Sequence, residues 1–136
     1  MLTGLKMINL YLNWMPSINN YYVKTRNGVF LSKSGRLSQQ SGIELINQQL
    51  GNIETITSNI HLSIVLYPPN NRIYDIDNRL KPLLDTLQKS RVIDNDAQVQ
   101  QLAVYRGSVV KNGAYYLVIR EAGFIIPNTD QGRSLI

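Results

Sequence analysis

The chain has 136 residues, 43% of them apolar, a formal net charge of +5 and a pI near 9.6. That length suits one domain with a real hydrophobic core. There is no Cys and only one His, His61, which excludes disulfides, thiol catalysis and multi-histidine metal sites.

Taken in order, residues 8–14 alternate Ile8, Leu10, Leu12 and Trp14 with polar neighbours, the period of a half-buried strand. This alternation also differs from the continuous apolar core of a signal peptide, and no run approaches the ~18 apolar residues that span a bilayer. A cytoplasmic protein without a membrane partner is expected. Pro16-Ser17-Ile18-Asn19-Asn20 ends the strand. Residues 21–25 and 29–32 flank Arg26-Asn27-Gly28, and Asn-Gly marks a hairpin. Residues 34–50 predict a helix with Leu37, Ile43, Leu45, Ile46 and Leu50 on its apolar side and Gly51 as its stop, although Gly42 weakens the middle.

Ile60–Tyr67 is rich in β-branched and aromatic residues and predicts a strand ended by Pro68-Pro69. His61 within it reads as structural. Residues 78–90 predict a second helix whose buried face is Leu80, Leu83, Leu84 and Leu87. Pro82 requires that helix to begin near Asn78 or Arg79. Residues 99–110 and 114–120 read as a final hairpin around Asn112-Gly113. Residues 122–136 have no period and read either as a tail or as a segment whose Phe124, Ile125 and Ile126 pack on the core or on a partner. The whole predicts one mixed α/β (α+β) domain over residues 1–136, with a mixed sheet, two main helices, β-hairpins, and peripheral termini at 1–7 and 122–136.

Charge is unevenly placed. Asp75, Asp77, Asp85, Asp94 and Asp96, five of the nine acidic residues, lie in a segment that nets −1 and leaves +6 on the remainder. An acidic knot in a basic chain suits divalent-metal chemistry on a polyanion. Mg²⁺ takes carboxylate and water oxygens, with phosphate completing its shell. If the backbone at 75–77 is extended, Asp75 and Asp77 share a face. Asp77, Lys81 and Asp85 form a stripe at four-residue spacing. Plainer readings stand beside these: Asp77 as a helix N-cap, Asp85 as a surface partner of Lys89, and Asp94-Asn95-Asp96 as a turn. Lys24, Arg26, Arg72 and Arg79 are candidates for contact with the phosphate backbone, with solvated loop charge as the alternative.

Three blocks in order carry a resemblance. Trp14-Met15-Pro16-Ser17-Ile18-Asn19-Asn20-Tyr21-Tyr22 is similar to a W-P-P-S-x-N-x-x-Y region. Asp75-Ile76-Asp77-Asn78-Arg79-Leu80-Lys81-Pro82-Leu83-Leu84-Asp85 is similar to a D-x-D-N-x-x-K-x-x-x-D core. Asn95-Asp96-Ala97-Gln98-Val99 is similar to a D-D-x-Q-V block. Together they resemble the RusA-type Holliday junction resolvases, small homodimeric metal-dependent endonucleases, many of them encoded by phages or prophages.

The resemblance implies Mg²⁺, with Mn²⁺ as a substitute, held by Asp75, Asp77 and Asp96. It implies Lys81 as the catalytic cation and a four-way DNA junction as substrate in recombination and repair, without a small-molecule cofactor. One departure is Asn95, where the family has Asp. Two other readings remain: a non-catalytic nucleic-acid-binding protein whose acidic cluster only caps and turns, and a phosphohydrolase acting on a small substrate.

Overall fold

The computed structural model describes residues 7–122. In chain order its elements are β1 (Met7–Asn13), a single helical turn α1 (Ile18–Tyr21), β2 (Tyr22–Thr25), β3 (Gly28–Leu31) and α2 (Lys33–Leu50). Then follow β4 (Ile60–Tyr67), a 3-10 turn (Asp77–Arg79) running into α3 (Leu80–Lys89), a second 3-10 turn (Asp96–Gln98), β5 (Val99–Arg106) and β6 (Ala114–Glu121). The expected mixed α+β architecture is present.

The main sheet has the order β1-β6-β4-β5, with β4 and β5 parallel and the other two pairs antiparallel. β4 is central, and its side chains alternate between buried and half-buried positions along all eight residues. Ile60, Leu62, Ile64 and Leu66 point to the same core as Leu10 and Leu12 of β1, Leu117 and Ile119 of β6, and Leu83 and Leu87 of α3. α2 packs on β1 and on α3, so the helices cover one face of the sheet. His61 lies on the other face, its Nδ1 3.5 Å from Arg120.

The final hairpin expected around Asn112-Gly113 is not formed, because β4 separates β5 from β6. The turn itself exists, with φ of 68° at Asn112 and 69° at Gly113. It belongs to a longer connection that crosses the end of β4, where Gly107 N–H bonds the Leu66 carbonyl at 2.7 Å and Val110 N–H bonds the Pro68 carbonyl at 3.0 Å. The most apolar strand takes one of the two inner positions, between β6 and β5, and local turn chemistry cannot report that choice. The first hairpin is as expected, with Tyr22 opposite Leu31 and Thr25 opposite Gly28. Before it, residues 18–21 form a helical turn rather than a plain loop and bury Tyr21.

α2 begins at a Ser32 cap, whose side chain accepts from the Gly35 N–H at 2.9 Å. Leu37, expected on its apolar face, is 57% exposed, because Gly35, Gly42 and Ile46 make up the buried stripe. Gly42 is there for close packing: a Cβ would lie 2.9 Å from Thr86 Cγ2 on α3. Pro82 occupies the first turn of α3, and its carbonyl accepts from the Thr86 hydroxyl at 2.8 Å. α3 ends with Arg91 at φ 68°, and Val92 N–H and Arg91 N–H bond the carbonyls of Leu87 and Gln88.

Two residues assigned to the peripheral termini are tied in: Met7 pairs with Arg120, and Ala122 N–H bonds the Asn59 carbonyl at 2.7 Å. Phe124, Ile125 and Ile126 lie outside the described residues. Among those described, no helix is long and apolar enough to cross a membrane.

A Cβ at Gly35 would lie 2.2 Å from the backbone oxygen of Tyr21. Ala raises helix propensity by about 1 kcal/mol over Gly, but a backbone atom cannot yield as a side chain does. Gly35→Ala is expected to lower stability by about 1–3 kcal/mol in urea denaturation; equal or greater stability would contradict this packing.

Candidate active site

The chain leaves β4 at Tyr67, turns at Pro68-Pro69 and reaches the first 3-10 turn through residues 70–76. Ile76 has φ −59° and ψ −45°, a helical conformation. The strand alternation that would align Asp75 with Asp77 is therefore broken there. Asp75 is exposed, and its Oδ2 accepts from Asn78 Nδ2 at 3.4 Å. Asp77 is exposed at the start of the 3-10 turn. It is not the expected N-cap: Ile76 occupies that position for the turn and Arg79 for α3, neither with a side-chain cap.

Lys81 stands in the first turn of α3, its Nζ 3.0 Å from Asp85 Oδ1. The Tyr22 hydroxyl donates to the other oxygen of Asp85. Asp85 was expected to pair with Lys89, but it joins Lys81 on α3 to Tyr22 on the hairpin. The Lys81 side chain stays 51% exposed while Asp85 falls to 22%, so the ammonium is anchored yet reachable. The hydrogen bond to Asp85 is the main cause that raises the Lys81 pKa above 10.5, and the charges of Asp85 and Asp96 add to it. Burial raises the Tyr22 hydroxyl above its ordinary range, and bonding to Asp85 raises it further.

Asp96 arrives from the second 3-10 turn. Its N–H bonds Gln88 Oε1 at 2.5 Å, so α3 holds both Lys81 and the backbone of Asp96. Asn95 caps this turn: its Oδ1 accepts from the Ala97 N–H at 2.8 Å, and Gln98 Oε1 accepts from the N–H groups of Asp94 and Asn95. Gln98 Nε2 donates to the carbonyls of Ile56 and Ser58, each at 2.8 Å. Asn and Asp cap about equally well, so Asn95 fills a slot that Asp would also fill. Asp94 pairs instead with Arg91, at 3.4 Å on an exposed surface.

The expected ligands thus lie on two 3-10 turns, Asp77 on the first and Asp96 on the second, and in the loop that carries Asp75. Among the described residues, no three carboxylate or imidazole groups gather into a ready-made metal cage. Their donor chemistry still suits Mg²⁺, which is commonly held by one or two carboxylates with water and substrate phosphate. Lys24 and Arg26 are exposed at the first hairpin, and Arg72 is exposed in the loop before Asp75. Arg79 turns inward: Nη1 donates to the Met15 carbonyl at 2.8 Å and the guanidinium lies 4.9 Å from the Trp14 ring centre. Trp14 in turn stacks on Tyr115. Asn19 is exposed and Tyr21 is buried.

Residues 12–118 match the family model for Endodeoxyribonuclease RusA. The chain belongs to the RusA family. A crossover junction endodeoxyribonuclease of Enterobacteria phage HK97 is 29% identical over 110 residues, covering 81% of this chain and 91% of that protein. A RusA crossover junction endodeoxyribonuclease of Aquifex aeolicus is 30% identical over 129 residues, covering 93% of this chain and all of that one. The RusA match takes in Tyr22, Asp75, Asp77, Lys81, Asp85 and Asp96 together. Residue patterns had left Asp85, Tyr22 and Gln88 out of the site; the four-residue step from Lys81 to Asp85 was the signal that pointed to the first of them.

Asp85→Asn is expected to lower the Lys81 pKa, read by NMR titration of its side chain. A raised lysine pKa stabilises the fold below the unfolded value, 10.5, and this contribution is lost as pH rises through the folded value. The stability gap between wild type and variant should therefore hold through the neutral range and close only above that point; an unchanged Lys81 titration would contradict the pairing. At the second turn, Asn95→Asp should melt like wild type, whereas Asn95→Ala should lose about 1 kcal/mol. Equal losses in a thermal melt would refute the capping role.

Proposed function

We propose that this protein is a Mg²⁺-dependent endonuclease that resolves four-way DNA junctions as a homodimer in recombination and repair. The observation that carries this reading is Lys81, anchored by Asp85 and influenced by Asp96, within a chain segment shared with two crossover junction endodeoxyribonucleases.

Asp75, Asp77 and Asp96 would hold the ion. Bound there, it would supply Lewis-acid stabilisation of the scissile phosphoryl group. The chain's own part is to position and neutralise. Asp85 and the Tyr22 hydroxyl hold the Lys81 ammonium in place before DNA arrives. As charge grows on the phosphoryl oxygens, the fixed cation stabilises it with little reorganisation. The raised pKa keeps Lys81 protonated throughout the neutral range. Lys24, Arg26 and Arg72 meet the phosphate backbone and hold the duplex arms without reading sequence. Arg79, engaged with Met15 and Trp14, serves the fold. Two copies about a two-fold axis would present two equivalent sites, as paired cuts require.

The alternative of a non-catalytic DNA binder assigned the acidic cluster to caps and turns. Asn95 takes the capping role at the second turn, and Asp77 caps neither the first turn nor α3, so that account leaves Asp77 without a use.

The test is a synthetic four-way junction with Mg²⁺ or Mn²⁺, against chelator and against Asp77→Asn. Wild type should cut, chelator should stop cutting, and the variant should bind but cut at least about 100-fold more slowly, the scale expected when several kcal/mol of charge stabilisation is lost. Wild type that binds and never cuts, or a variant that cuts equally well, would overturn the proposal.

A further inference from the structure

Beyond Asp75 and Lys81, the C-terminal ends of the parallel strands β4 and β5 enclose a cleft of about 260 Å³, open to solvent. Residues 68–74 form one wall and 106–109 the other. Its polar lining is Asn70, Asn71, Arg72, Tyr74, Arg106 and Ser108, and among the described residues no carboxylate lines it. We propose that this cleft binds a backbone phosphodiester of DNA flanking the scissile one, with Arg72 and Arg106 as its charged contacts. The proposal rests on the DNA-binding part of the function given above.

Its walls are fixed in advance. Arg106 Nη2 donates to the Tyr74 carbonyl at 3.0 Å, and the guanidinium lies 4.5 Å from the Tyr74 ring centre. A planar cation held on an aromatic face and by one backbone bond keeps its other N–H groups for an anion. The Arg72 N–H bonds Asn70 Oδ1 at 3.0 Å, which shapes the loop that presents its side chain. The opposite wall is secured to the end of β4 by the bonds from Gly107 to Leu66 and from Val110 to Pro68. Gly107 permits that approach, because a Cβ there would lie 2.7 Å from the Tyr67 ring.

The chemistry selects an anion that accepts several hydrogen bonds: residues bearing two guanidinium groups, two side-chain amides and two hydroxyls line the cleft, and among the described residues no acidic one does. The location selects a diester of the substrate strand. In open α/β sheets ligands collect beyond the carboxyl ends of parallel strands, and the loop that lines this cleft continues from Tyr74 directly into Asp75. A phosphate seated here would set the register of the strand against the carboxylates.

The test is junction binding with Ca²⁺ in place of Mg²⁺, so that affinity is read without cutting, across a series of salt concentrations. Arg72→Gln and Arg106→Gln should each reduce the slope of log affinity against log salt, and the double variant should reduce it by about 0.9 in total, the value for one phosphate contact. Arg106→Lys should restore most of the slope. If Arg106→Gln lowers the melting temperature while both slopes stay at the wild-type value, Arg106 is a wall and not a contact, and the proposal fails. It fails equally if the slopes are unchanged while inorganic phosphate shifts the Arg106 guanidinium NMR signal, since the cleft then takes a free anion. Wild type that binds junctions and never cuts would refute the nuclease reading and leave these slopes fully interpretable.

Discussion

Half the side chains of β4 are shut away from water and both its edges are hydrogen-bonded, and this double commitment organises the molecule. A strand with no free edge needs a neighbour on each side. β6 supplies one in the antiparallel sense; β5 supplies the other in parallel, which obliges the chain to cross back along the sheet before β5 can begin. α3 is that crossing, and Leu83 and Leu87 join it to the core that β4 created. Loops that enter and leave α3 are consequently fixed in space by the most buried part of the protein, although they are themselves exposed.

The polar residues use that frame. α3 carries Lys81 near its start and Gln88 near its end, and Gln88 reaches the backbone of Asp96 in the following turn. The hairpin contributes Tyr22, which meets α3 through Asp85. Two separated stretches of chain are thereby referred to one rigid helix, while the groups proposed for chemistry stay at its solvent side. Rigidity behind and exposure in front suits the phosphodiester substrate proposed above, because a duplex arm cannot enter a closed pocket.

Most elements were legible in the sequence, since alternation and β-branched content are local properties: β1, β4, the first hairpin and both main helices lie close to where their patterns put them. What was not legible depends on contacts distant along the chain. The partner of β6 was misassigned because an Asn-Gly turn specifies a reversal without naming the strand that will pair. Leu37 was misplaced because the buried stripe of α2 is made partly of glycines, which carry no hydropathy signal. At the site, spacing exposed Asp77, Lys81 and Asp85 as one stripe, but it could not tell whether Asp85 would turn toward Lys81 or Lys89. That choice depends on Tyr22, 63 residues earlier in the chain.

Gln98 has all of its amide capacity engaged: its oxygen accepts two backbone N–H groups and its nitrogen serves two carbonyls in the segment before β4. Its neighbour Asn95 answers to the same small turn. The consequence concerns how such a motif is read. Letters adjacent to a presumed ligand need not record chemistry; here two of the five, Asn95 and Gln98, record the geometry of a single capped turn. Exchange between Asn and Asp at the first letter is then a change of spelling within one structural word, and a search that penalises it would discard chains whose reactive groups are intact.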